Sequence, residues 1–167
     1  DIAARFAQQI GRVDSGEWWR VLTAMFLHGD TLHLLFNMYA LWLFGPVLER
    51  RFGVASFIAL YAAGGVTGGM LFQLVEKNPL AAAVGSSGAI FGLLGALLAA
   101  SFRQRHTRAG AAAFGQLTLL LAINLALPLF VPNIAWEAHL GGLAAGMAVA
   151  LVWDHMPLPG RAAAWRR

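Results

Sequence analysis

Five apolar runs lie almost end to end along this chain, at about residues 32–48, 54–75, 87–102, 111–131 and 136–153. A bilayer core roughly 30 Å thick takes about 20 apolar residues when it is crossed by a helix. Only turn or charge signals separate the runs: Glu49-Arg50-Arg51-Phe52-Gly53, Glu76-Lys77-Asn78-Pro79, the stretch from Arg103 to Arg108, and Val131-Pro132-Asn133. A soluble core in 167 residues cannot bury them all, and the 59% hydrophobic and 12% charged fractions agree, since soluble domains average roughly 45–50% and about 25%. Most of the 19 glycines fall inside the runs, where membrane helices use glycine for packing. The expected fold is all-α: a polytopic membrane helix bundle in one domain, 1–167, with 1–31 as an outer loop and 154–167 as a cytoplasmic tail.

Charge predicts the orientation. Alternate loops fall into two groups. One holds Arg50, Arg51, Arg103, Arg105, Arg108, Arg161, Arg166 and Arg167; the other holds Arg5, Arg12, Arg20 and Lys77 among six acids. The positive-inside rule assigns the first group to the cytoplasm, so the first, third and fifth runs begin on the outer side. An outer N-terminus of amphipathic residues starting at Asp1 suggests that a further helix precedes this chain. Alanine-rich helices and short loops point to a bacterial cytoplasmic membrane. No basic stripe interleaved with aromatics is present, so nucleic acid is not an expected partner. The sequence carries no sign of oligomeric state.

Polar groups are costly in a bilayer, so their positions are informative. His33 and Asn37 share a helix face four residues apart. Ser87 opens the third run within Gly85-Ser86-Ser87-Gly88, and His139 lies near the start of the fifth. All four should lie at one depth near the outer surface. Gly88 and Gly92 on one helix, and Gly142 and Gly146 on the other, form G-x-x-x-G steps that let two backbones approach closely. That packing would bring Ser87 to His139. A hydroxyl, an imidazole base and a helix N-terminus with free N–H groups are the parts of a serine hydrolase. Glu137 points to another face, and Asp154 is roughly 22 Å further along a helix, so a Ser–His dyad is the economical reading.

These residues carry a resemblance to the rhomboid family over nearly the whole chain. Glu17-Trp18-Trp19-Arg20 resembles the family's outer-loop Trp-Arg motif, and His33 with Asn37 its H-x-x-x-N motif. Gly85-Ser86-Ser87-Gly88 resembles its G-x-S-G motif, and His139 with Gly142 and Gly146 its H-x-x-G-x-x-x-G motif. The resemblance implies five of six core transmembrane helices and cleavage of membrane-anchored or transmembrane protein substrates near the outer face. Ser87 would be the nucleophile and His139 the base, with His33, Asn37 and the Ser87 backbone at the oxyanion. Phe91 stands where some members carry a tyrosine stacked on the catalytic histidine. Trp18, Trp19 and Arg20 are expected to anchor the outer loop among the lipid headgroups. No cofactor is implied, and the His28 to His33 spacing does not match the H-E-x-x-H zinc pattern, so no metal is expected. A catalytically inactive rhomboid-like protein that binds membrane proteins is the alternative. A soluble α/β-hydrolase elbow is excluded, because Ala89 stands where G-x-S-x-G needs glycine. A transporter or channel subunit would need ionisable groups at mid-membrane.

Overall fold

The computed structural model describes residues 2–155. An N-terminal cap comes first: α1 (Ile2–Phe6), a short strand β1 (Gln8–Gln9), α2 (Ile10–Asp14), α3 (Arg20–Thr23) and a 3-10 turn, Ala24–Phe26. The bundle follows, with α4 (Thr31–Phe52), α5 (Val54–Val75), β2 (Ala82–Ala83), α6 (Ser87–Arg103), α7 (Arg108–Ala126), a 3-10 turn at Leu127–Leu129, and α8 (Trp136–His155). Among the described residues, α4, α5 and the stretch Arg108–Leu129 are long and apolar enough to cross a membrane, while α6 and Trp136–Val152 are shorter apolar helices. The expected tail, 154–167, lies almost wholly outside the described residues.

Local chemistry explains the boundaries. The Asp30 carboxylate caps α4 by accepting from the His33 N–H at 2.8 Å. The helix then runs on through Glu49-Arg50-Arg51, which were expected in a loop. Those residues occupy its last turn, where cations suit the helix dipole, and Gly53 ends it at φ +83°. Thr107 caps α7 by accepting from the Gly110 N–H at 3.0 Å. This helix starts three residues earlier than expected and gives way to the 3-10 turn at Pro128.

Packing makes α6 the central post. It is buried along nearly its whole length, and its Leu93, Leu94 and Leu98 join Phe44, Leu48 and Leu60 in the core. Lipid supplies no hydrophobic drive between helices, so close contact has to come from small residues. Here the backbones touch. A methyl on Gly142 would overlap the Gly88 carbonyl, and one on Gly146 the Gly92 carbonyl; one on Gly64 would sit 3.0 Å from Gly92 Cα. The two constant offsets show α6 and α8 running parallel. The pairs Gly64–Gly92 and Gly68–Gly88 show α5 running antiparallel to α6. By contrast, α7 buries only Gly110 among its own residues.

Arg20 departs from its expected headgroup role. It is 2% exposed, pairs with Glu17 at 2.6 Å and donates to the Ala7 carbonyl at 2.9 Å. It ties the cap together internally because a buried guanidinium has to be both paired and hydrogen-bonded. Trp18 and Trp19 remain exposed.

Candidate active site

Ser87 is the first residue of α6, and its hydroxyl lies 2.9 Å from His139 Nε2. The parallel α6–α8 seam accounts for this: with Gly88 seated on Gly142, the first turns of the two helices lie side by side. Gly68 of α5 faces Gly88 and lies seven residues before the helix end at Val75. At 1.5 Å per residue, Ser87 is therefore recessed by roughly 10 Å below the end of α5.

One face of the imidazole is covered by Phe91, one turn along α6, stacked with ring centroids 4.2 Å apart and planes 7° apart. Nδ1 of His139 is buried and has no hydrogen-bond partner among the described residues. Glu137, itself buried in the first turn of α8, therefore does not orient the ring. If Nε2 is to accept the Ser87 proton, the ring has to carry its own proton on Nδ1.

Approach to Ser87 runs through Gly85, whose φ of +118° is open to glycine and strained for other residues. A side chain there would also strike His33, with Cε1 only 2.7 Å from the would-be Cβ. The structure thus sets the His33 ring against the turn that delivers Ser87. Asn37 lies one turn further along α4, buried, and its Nδ2 donates to the His33 carbonyl at 2.8 Å. One of its two N–H groups is thereby engaged within its own helix. Gly88, Gly92, Gly142 and Gly146 all lie in the seam.

Two further side chains near this site, His28 and Gln8, are not marked for it by the sequence motifs. His28 packs edge-on to His33, with centroids 5.1 Å apart, and its Nε2 lies 3.5 Å from the hydroxyl of buried Ser86. Burial, and then the neighbouring His33, hold the His28 pKa below its usual value and favour the neutral ring. Gln8, from β1, shares with Ser87, Ala24, Met25, Gly65 and Gly69 a cavity of about 30 Å³. That volume is room for about two water molecules.

A bundle of apolar helices with a serine–histidine pair recessed between them defines the chain as an integral, multi-pass helical membrane protein. A Rhomboid domain model matches residues 15–154, and the chain belongs to the rhomboid family. It is 39% identical over 146 residues to "Rhomboid protease GluP" of Bacillus subtilis, covering 86% of this chain and 28% of that protein. It is 38% identical to "Putative rhomboid protease YdcA" of the same organism, covering 84% of this chain and 69% of the relative. With "RHOMBOID-like protein 5" of Arabidopsis thaliana the identity is 36%, covering 84% and 45%. The chain thus spans from about a quarter to about two thirds of the length of these relatives.

Proposed function

We propose that the chain is an intramembrane serine endopeptidase that cuts transmembrane or membrane-anchored proteins near the outer membrane face. The observation that carries this reading is the 2.9 Å contact between the Ser87 hydroxyl and His139 Nε2, recessed within a helical membrane bundle. A site recessed between apolar helices suits a bilayer segment that enters sideways and unwinds to present its backbone.

Ser87 Oγ attacks the scissile carbonyl while Nε2 of His139 takes the proton. The oxyanion that forms lies at the N-terminus of α6, where the Ser87 N–H and the helix dipole favour negative charge. His33 and the second N–H of Asn37 are the side-chain donors. His139 then hands its proton to the leaving amine, giving an acyl-Ser87 ester. Water, deprotonated by the same imidazole, attacks the ester carbonyl; as the bond to Ser87 Oγ breaks, His139 returns the proton to that oxygen and the acid leaves.

The test is cleavage of a membrane-anchored reporter by the chain in liposomes, together with labelling by a fluorophosphonate. Both should be lost in Ser87→Ala and His139→Ala. Labelling or cleavage that survives Ser87→Ala overturns the mechanism. A parent chain that binds membrane proteins but neither labels nor cuts belongs to the inactive class of relative.

A further inference from the structure

The segment that delivers Ser87 runs from Pro79 to Ser86, between α5 and α6, and apart from the two residues of β2 it has no regular structure. Its backbone is held from both sides by the N-terminal cap. On one side β1 pairs antiparallel with β2, Gln8 opposite Ala83 and Gln9 opposite Ala82. The Ile10 N–H continues the ladder to the Ala81 carbonyl at 3.1 Å, and the Gly11 N–H bonds the Pro79 carbonyl at 3.0 Å. On the other side the Gly85 N–H donates to the Ala24 carbonyl at 2.9 Å.

A two-residue ladder is not stable alone, so its register has to be fixed by something else. Gln8 is 2% exposed. Its Nε2 donates to the Gly69 carbonyl of α5 at 2.7 Å and to Gln73 Oε1 at 3.3 Å. Gln73 Nε2 in turn donates to the Ile10 carbonyl at 3.1 Å and to Asp14 Oδ1 at 2.9 Å. Gly69 leaves room for this, since a methyl there would lie 2.7 Å from Gln8 Oε1. Buried carboxamides are unfavourable unless bonded. These two are bonded, and the bonds pin the strand to α5. None of them reaches Ser87 or His139.

We propose that Gln8 is a positioning residue. It locks the register of Gln8–Gly11 against the loop from Pro79 to Ala83, and through that loop sets how Ser87 is presented to His139. The inference rests on the protease reading above and adds to it a residue outside the four motifs. The α6–α8 seam fixes the helix that bears Ser87, and the cap fixes the turn that leads into it. In Gln8→Ala the cavity beside Ser87 widens and β1 loses its own bonds to α5, leaving the Gln73 bond to the Ile10 carbonyl as the remaining tie.

The chain has no cysteine, which permits a clean lock. The bond from Ile10 to Ala81 makes that a hydrogen-bonded pair, so Gln9 and Ala82 form the adjacent non-hydrogen-bonded pair. Such pairs have Cα atoms about 4.5 Å apart, within disulfide range. The experiment measures fluorophosphonate labelling and reporter cleavage by the full chain, below its melting temperature. The final extent of labelling counts folded sites, and the rate constant reports their geometry. Gln8→Ala should lower the rate constant and kcat by about tenfold or more, with labelling extent and KM unchanged. In Gln8→Ala/Gln9→Cys/Ala82→Cys, oxidation should restore the rate and reduction should remove it again, although no carboxamide has returned. An unchanged rate constant in Gln8→Ala, or no recovery on oxidation, overturns the proposal. If Gln8→Ala does not fold, Gln9→Cys/Ala82→Cys alone decides. Full activity when oxidised supports the paired strand as the working state, and a tenfold loss overturns it. A parent chain that neither labels nor cleaves removes the protease reading, and this inference with it.

Discussion

His139 is held between a hydroxyl on its Nε2 edge and an aromatic ring on its face, and its Nδ1 has no acceptor among the described residues. In triads an acid orients the base; here stacking has to do that work. Such a contact is worth about 0.5–1.5 kcal/mol beyond burial, and truncating a buried phenylalanine costs about 3–5 kcal/mol. Phe91→Ala should therefore lower both the melting temperature and kcat, while Phe91→Tyr should keep kcat within about threefold of the parent, because the ring face is retained. Loss of activity in Phe91→Tyr equal to that in Phe91→Ala would mean that stacking is not what orients His139. At this scale the four motif positions were legible because each is a polar group in an apolar run, where polarity is expensive. Gln8 was not. Its acceptor on Gly69 lies 61 residues away, and a glutamine in a polar amphipathic stretch reads as solvated until the fold closes over it. Asn37 was legible as a buried polar group, but its bond to the carbonyl one turn back is a rotamer choice that spacing cannot reveal.

Among the elements, the seam of α5, α6 and α8 carries the geometry of the site. The G-x-x-x-G steps of α6 and α8 marked that pair in the sequence. The part played by α5 was not legible, because its Gly64, Gly65, Gly68 and Gly69 occur as two doublets, and periodicity does not say which neighbour each one faces. The continuation of α4 through three charged residues was hidden for a different reason: near a membrane surface, charge marks the edge of the bilayer and not the end of the helix. The glycines of the seam and those outside it should respond oppositely to alanine. At Gly146 the methyl would meet the Gly92 carbonyl, so the helices have to part, and overpacking of this kind costs about 1–3 kcal/mol. The Ser87–His139 contact, one seam step away, should loosen with it. Gly115 of α7 has nothing within 4 Å of its would-be Cβ, and Gly115→Ala should raise helix stability by about 0.5–1 kcal/mol. Thermal unfolding in detergent, paired with reporter cleavage, checks both. A Gly146→Ala protein as stable and active as the parent would show that the seam has slack.

For the molecule as a whole, the remaining question is which side of the membrane the recessed site opens toward. The bundle gives two ends. The links from α4 to α5 and from α6 to α7 share one end, with Arg50, Arg51, Arg103, Arg105 and Arg108 at or beside them. At the other end lie Ser87, Lys77 and the cap with its acids Asp14, Glu17 and Asp30. Loop arginine and lysine are retained on the cytoplasmic side, so the Ser87 end is expected to face outward. Because the chain has no cysteine, single substitutions can report this directly. Lys77→Cys should react with a membrane-impermeant maleimide on intact cells, whereas Arg105→Cys should react only after the membrane is opened. The two positions flank α5 and α6 at opposite ends, so a single orientation cannot expose both. The reverse labelling pattern would turn the site toward the cytoplasm, and the substrates it could reach would be those whose helices unwind at the inner leaflet. Labelling of both positions in intact cells would mean mixed insertion. The charge asymmetry would then be too weak to orient the bundle.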